Sequence, residues 1–457
     1  MLSFASKCLF AHSSREFRSA EHSDLVFCAA EESTKKYGNK RLLASSDFFV
    51  EDRRMVDYGA GTTKGDVSIV ALVSKFLVIS VRNTNHEPLH DMFYVTTDAK
   101  NWVNLQFPHN FGWSGQAFTL LNNKRALVID SQSLDSRRLG TLFLSNGSGT
   151  DFVETLRNTH RSDVGFVDYL NPGDVQGLGL INYVRNALEI EHGGWDVKPE
   201  LKTLITYNDG SSWSPLKAPA RDMDNMPHDC VSSDTQTCSL HLHLTPASYD
   251  LPETSPTPPG FIMAVGSVSK KLLDYEESDT YLSRDAGATW VQVRRGAHKH
   301  AFADQGNIMV LVDDEKSTDH VRYSTDSGET WYVPSVFSLT MSLTFRRQKL
   351  DLGVTLRAMV LTSAPGVTSH SLILLGALQR GDSKEKKRYA LIHLDFGYLR
   401  TRECGENDVE KWYARGVNAT DCIMGQKVVD QIWRPLVTDK PYTSNGFGGG
   451  NRERIVI

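Results

Sequence analysis

His241-Leu242-His243 sets two imidazoles two residues apart, which on a β-strand puts both on one face, as a metal grip would. No third ligand is readable nearby. Leu240 and Leu244 alternate with the histidines as in a half-buried strand, so a structural role is preferred and no metal or cofactor is expected. His298-Lys299-His300 is a second pair and could change charge in the endosomal range, although a plain loop between repeats accounts for it more simply. The most regularly spaced carboxylates are Asp285 and Asp326. Each stands in a perfect S-x-D-x-G-x-T-W, running from Ser283 through Gly287 to Trp290 and from Ser324 through Gly328 to Trp331. A third copy begins at Thr206, puts Asn208 in the place of the acid, and continues through Gly210 to Trp213. Two more are worn: Ser145 to Phe152 keeps Gly149, and Thr96-Thr97-Asp98 reaches Trp102 one residue early.

Recurring acids invite a catalytic reading, but the octapeptide has a simpler physics. Ser and Asp oxygens accept backbone N–H groups just ahead and close a turn. Glycine supplies a positive φ where a Cβ would clash. The Trp lies back over the hairpin and buries a large ring while its indole N–H still finds a partner. This is the Asp-box of sialidases and other β-propellers, and its acids are read as turn-formers. A sialidase would also need three arginines converging on a carboxylate and a Tyr/Glu nucleophile pair. Arg82, Arg138, Arg185 and Arg357 are scattered, with nothing in sequence marking three of them as convergent. No G-x-S-x-G elbow supports a serine hydrolase.

The elements that carry these turns are short and apolar. Val67–Val70, Phe76–Val81, Ala117–Leu121, Ala126–Ile129, Phe261–Val265, Ile308–Val312, Ala358–Leu361 and Leu372–Leu375 read as strands between Gly/Asn/Asp/Ser turns. Helical periodicity is hard to find before Val409-Glu410-Lys411-Trp412. Dense short strands mean a sandwich, barrel or propeller, and a turn recurring at blade length selects an all-β propeller. Ser283 to Ser324 is the length of a bare four-stranded blade. The longer interval from Thr206 to Ser283 holds a Cys230/Cys238 hairpin and a Pro-rich loop, Pro252–Pro259. Lys384–Arg388 is a solvated charge run. Counting Ser45-Ser46-Asp47 as the most degenerate turn gives six signals and a terminal blade without one, about seven blades ending at Tyr389–Asp395. After Phe396 the character changes. Residues 428–457 lack strand periodicity, are expected to be disordered, and end near a glycine cluster that has neither the strand nor the helix of a phosphate loop.

The 457 residues carry 50 Lys+Arg against 55 Asp+Glu, a formal charge of −5, which argues against a nucleic-acid surface. No apolar run reaches the length of about 18 residues needed to span a bilayer. Met1–Ala11 is broken by Lys7 and reads as an internal strand rather than a signal peptide. The six cysteines fall into close pairs, Cys8 with Cys28, Cys230 with Cys238 and Cys404 with Cys422, and none has C-x-x-C spacing. Sequons at Asn146 and Asn418 fit the same oxidising, lumenal setting.

The stretch from Leu391 to Gly416 (LIHLDFGYLRTRECGENDVEKWYARG), followed by DCIMGQK, resembles the junction between the ten-bladed propeller and the cysteine-rich module of the sortilin family. SDLVFC, CSLHLHL, GSVSK, DTYLSRDAGATW and DQGNIMVLVDD resemble successive blades in its fungal vacuolar sorting receptor branch, and the likeness runs from about Lys7 to Lys427. It implies a partial propeller over 1–395, the start of the cysteine-rich module over 396–427, and a non-homologous tail over 428–457. Cys8–Cys28 and Cys230–Cys238 match intra-propeller disulfides, and Cys404 and Cys422 match the first two cysteines of the module.

The function implied is that of a lumenal, non-enzymatic cargo-binding domain. It would belong to a single-pass receptor that carries cargo proteins such as vacuolar hydrolases from the late Golgi to the endosome and vacuole. An Asp-box glycoside hydrolase is the alternative. Gln176 stands where animal sortilins have a carboxylate-binding arginine, so capture of a peptide C-terminus is not expected. The family's opening blades, the rest of the module, its membrane span and its tail fall outside these residues. A propeller missing about three blades is expected to leave an open arc with an unpaired edge.

Overall fold

The computed structural model describes residues 5–11, 17, 24–31, 40–59, 66–83, 90–108, 118–121, 126–133, 136–163, 165–172, 175, 177–193, 196–228, 237–244, 258–332, 355–363, 370–378, 388–397, 409–412 and 430–433. The chain divides into two compact units. One comprises Met1–Tyr169, Tyr183–Pro199 and Asn208–Trp213, the other Leu170–Asn182, Glu200–Tyr207 and Ser214–Ile457.

Strands pair with their sequence neighbours, antiparallel, so each sheet is a meander. In the first unit, Ala5–Phe10, Val26–Glu31, Lys40–Ser45 and Arg54–Met55 form one sheet, and Asp66–Val73, Phe76–Asn83, His90–Thr96 and Val103–Asn104 a second. Phe118–Leu121, Val128–Gln132, Leu139–Ser145 and Phe152–His160 form a third. In the second unit, Leu201–Thr206 pairs with Ser214–Pro215. Ser239–Leu242, Ile262–Ser269, Asp279–Ser283 and Val291–Arg294 form a four-stranded sheet. Two three-stranded sheets follow, His298–Ala303 with Ile308–Asp313 and Arg322–Ser324, and Leu356–Ser363 with Ser371–Leu378 and Tyr389–Asp395. The fold is that of an all-β, Asp-box β-propeller.

The burial pattern explains why these segments are strands. Tyr389–Asp395 alternates exposed and buried residues, the signature of a sheet with one covered face. Leu77, Val78 and Ile79 are all fully buried, as expected where a sheet is covered on both faces. The cores lie between successive sheets: Phe27, Leu42, Val70 and Ile79 in one, Phe76, Phe93, Ile129 and Phe143 in the next. In the second unit Ile205, Leu240, Tyr281 and Trp290 share a core, and Val310, Leu356, Leu374 and Phe396 another.

Three sequence expectations are corrected. Val409–Trp412 is a strand, paired with Asp430–Trp433, and not helical; four residues are too few to separate the two periods, and cross-strand pairing decides. Asp430–Trp433 lies inside the stretch read as lacking strands. His298–Ala303 is the first strand of its sheet rather than a loop, because Ala301, Phe302 and Ala303 supply an apolar run after the two histidines. A short helix, Ala187–Gly193, was not expected.

Candidate functional site

Six strands end on the first residue of a box: Ser45, Thr96, Ser145, Thr206, Ser283 and Ser324. In the Ser283 box the hydroxyl donates to Asp285 Oδ1 (3.0 Å) and accepts the Gly287 amide (2.8 Å). Asp285 accepts the Thr289 amide (2.8 Å) and hydroxyl (2.7 Å), and the Trp290 indole donates to the Gly287 carbonyl (3.0 Å). The Ser324 box repeats every step, with Trp331 donating to Gly328 (3.1 Å). Burial pushes the Asp326 carboxyl up, but the bonds from Thr330 and Ser324 outweigh it and hold the pKa below the usual range. Asn208 accepts the Ser212 amide (2.9 Å) and donates to its hydroxyl (2.8 Å), closing the same turn without charge. Asp209 and Gly210 in that box both have positive φ, 58° and 91°.

The worn copies are better formed than their sequences suggest. Ser45 donates to Asp47 and accepts the Phe49 amide, while Asp47 accepts amides from Val50, Glu51 and Asp52. The Asp52 amide is the largest cause holding Asp47 at about 2. Phe48 and Phe49 take positive φ here, 59° and 63°, with no glycine. In the Ser145 copy Asn146 Oδ1 takes over the acid's work by accepting the Thr150 amide (3.0 Å). Asp98 is partly penalised by burial, yet the amides of Asn101 and Lys100 hold it at about 2. The box oxygens named here are engaged inside their own turns, a geometry that builds hairpins.

Boxes also reach one another. Arg284 donates from Nε to the Ser327 carbonyl (2.6 Å) and pairs with Glu329 (3.0 Å), both in the next box. Nothing in the octapeptide pattern flags this cross-sheet contact, since Arg284 occupies a variable position.

Of the histidine candidates, His241 and His298 are buried, and His243 and His300 are half-buried. His241 is fully buried; its Nδ1 accepts the Thr203 amide (3.2 Å) and its Nε2 lies 3.2 Å from Ser239 Oγ. An acceptor Nδ1 requires the neutral ring, and burial, helped by the nearby Lys202 charge, lowers the pKa to about 4. Thr203 extends the network to Asn182, which donates to the Leu242 carbonyl (3.0 Å). His243 lies instead against Tyr275 (centroids 5.1 Å) and Ser278, so the two rings are separately engaged. His298 is buried against Gly296 and Thr280, and burial lowers its pKa.

A buried cluster escaped the sequence reading. The Asp130 carboxylate meets the Arg161 guanidinium and the Thr159 hydroxyl, and Arg161 also donates to the Gly165 carbonyl (2.8 Å). Burial pushes Asp130 up to about 6 against the pull of Arg161. His160 and Asp168 (2.8 Å) form a half-buried pair beside it. Arg138 is buried and donates to Val197, whereas Arg357 is exposed on its strand. Finally, a cavity of about 200 Å³ opens between the first two sheets, beside the short box at Asp98.

Cys8 and Cys28 face each other across paired strands and form a disulfide. Cys238 is disulfide-bonded; its expected partner Cys230 lies outside the described residues, as do Cys404, Cys422, Asn418 and Gln176. Asn146 is exposed.

Residues 1–341 match the family described as sortilin, neurotensin receptor 3, and residues 363–433 match its C-terminal part. The chain belongs to the sortilin family. Among similar relatives, the vacuolar protein sorting/targeting protein 10 of Laccaria bicolor is 41% identical over 429 residues, covering 91% of this chain and 28% of that protein. The protein of the same name from Mycosarcoma maydis is 35% identical over 444 residues, covering 93% of this chain and 28% of its own length. The sortilin-family chain described here thus spans little more than a quarter of these relatives. Among solved structures, the β-propeller domain of the Trilobed protease from Pyrococcus furiosus aligns with a TM-score of 0.32 at 9% identity, over 87% of this chain and 96% of that one. The part of the chain matched to sortilins holds all six boxes and the Cys8–Cys28 bridge.

Proposed function

We propose that this chain is the lumenal cargo-binding part of a vacuolar sorting receptor, carrying vacuolar hydrolases from the late Golgi to the endosome and vacuole. The observation that carries the reading is the 41% identity maintained over 91% of the chain to a protein named for vacuolar sorting and targeting. The disulfide at Cys8–Cys28 and the exposed sequon at Asn146 support a lumenal setting. A propeller of about seven blades over 1–395, with a cysteine-rich module beginning at 396 and carrying Cys404 and Cys422, belongs to the same reading.

The box acids argue for binding over hydrolysis. A general acid or nucleophile must offer an oxygen to substrate, whereas those of Asp285 and Asp326 accept from their own turns. The test is capture of purified vacuolar hydrolase precursors by the disulfide-intact chain, followed by surface plasmon resonance near pH 7 and near pH 5. Capture at the higher pH and faster release at the lower one is expected. Turnover of aryl glycosides without any capture would replace the receptor reading with the glycosidase one.

A further inference from the structure

Three box glycines seat against the neighbouring sheet, whereas Gly210 faces the Trp213 of its own box. A Cβ on Gly149 would meet Phe76 at 2.6 Å, on Gly287 Ile205 at 2.6 Å, and on Gly328 Leu282 at 2.5 Å. Ile205 and Leu282 occupy equivalent places, each directly before the first residue of a box, Thr206 and Ser283. At these seats an aliphatic side chain from one sheet plugs the hollow under the next box.

The first two sheets lack both halves of that plug. The residue before Ser45 is Ala44, and the facing box is one residue short, with Ala99 and Lys100 following Asp98 and no glycine. The unfilled space is the cavity of about 200 Å³. Its floor is Leu25, Phe27 and Ala44, exposed by 6%, 1% and 7%, and Arg54, Asp57 and Lys100 stand exposed around it. An apolar void of about 150 Å³ already admits benzene, so this one has room for a branched aliphatic side chain.

We infer that this cavity is a binding seat for a single leucine or isoleucine side chain presented by an extended peptide segment. The occupant is read from the chain itself, because Ile205 and Leu282 fill the corresponding hollows elsewhere. An extended partner follows from the adjoining strand. Arg54–Met55 is last in its sheet, and Val56 donates inward to Leu42 (2.9 Å). Along a strand, alternate amides point opposite ways, so those of Met55 and Asp57 face away from the sheet, where a peptide strand adds. The inference deepens the receptor reading and rests on it for the source of the peptide.

The experiment is fluorescence anisotropy of fluorescein-labelled Gly-Ser-Thr-Leu-Thr-Ser-Gly amide, and of its Leu→Ala counterpart, against the full disulfide-intact chain. The leucine probe is expected to bind about tenfold tighter or better. Ala44→Leu, which fills the seat, is expected to remove that preference without lowering Tm. Should Ala44→Leu fail to fold, Met55→Pro on the exposed outer strand tests the same docking by deleting an outward amide. Equal binding of the two probes, an unchanged preference in a folded Ala44→Leu, or an unchanged affinity for the leucine probe in a folded Met55→Pro overturns the inference. So does binding of 1-hexanol with no binding of the leucine peptide. Hydrolase capture undiminished in Ala44→Leu overturns the seat as a cargo contact and leaves the receptor reading standing. A parent chain that distinguishes the probes but captures no hydrolase overturns the receptor reading and supports the seat.

Discussion

The Cδ1 atom of Ile205 lies 2.6 Å from the point where a β-carbon on Gly287 would stand. The glycine is therefore required twice, once for its positive φ of 84° and once for the neighbour it admits. Gly287→Ala is expected to destabilise by about 2–4 kcal/mol, combining backbone strain with overpacking. Gly328→Ala, facing Leu282, should behave alike. Gly147→Ala, with nothing within 4 Å, should be nearly silent. Urea melts of the three variants check the ranking.

Trp290 is 4% exposed and its indole donates to the Gly287 carbonyl, so Trp290→Ala should cost about 3–5 kcal/mol. Trp331 is only partly buried and should cost less. Asp285→Asn should cost little, since Asn208 already closes the same turn. A melt unchanged in Trp290→Ala would refute the structural account of the box.

His241 makes stability depend on pH. Its pKa falls to about 4 in the folded state through burial, whereas an unfolded histidine titrates near about 6.5. The unfolded chain therefore binds more protons between these values. The contribution is fully present above about pH 6.5 and is lost progressively as pH falls toward 4, by roughly 3 kcal/mol in all. His241→Asn should flatten this slope in melts recorded across that window.

Removing Arg161 leaves the Asp130 carboxylate buried without its counter-charge. Arg161→Met should cost about 3–5 kcal/mol, whereas Asp130→Leu combined with Arg161→Met should recover most of that loss. Thermal melts of the single and double variants separate a structural pair from one kept for another purpose.

Reduction of Cys8–Cys28, which closes a separation of 20 residues, should lower stability by about 3 kcal/mol. Differential scanning calorimetry with and without reductant measures it. Cys8 is exposed on the first strand of its sheet, whereas Cys28 is buried.

Much of this architecture was readable because propeller strands are short apolar runs closed by a repeated turn. Phe76–Val81 and Ile308–Val312 lie within observed strands, and Asn208 carries out the turn chemistry its side chain permits. Interactions between distant residues were not readable. Asp130 follows the apolar run Ala126–Ile129 directly, an odd place for a carboxylate, but only folding brings Arg161 to it. The helix at Ala187–Gly193 had a usable signal in the capping-box spacing of Asn186 and Glu189, although here the Asn186 side chain donates to the Glu189 carboxylate (3.2 Å). The turn at Asp47 is hard to recognise in sequence because its hydroxyl and carboxylate close it without the glycine and tryptophan of the intact boxes.

Arg284 occupies one of the free letters of its octapeptide, yet it holds Ser327 and Glu329 of the following copy. The repeated letters of each box close the turn on itself and would serve equally well in any copy. The free letters act as an address, naming which copy comes next. Two boxes exchanged by design should therefore each fold as turns, while the junctions on either side lose their fit. The order of the copies along this chain is thus encoded in residues that a search for the repeat discards.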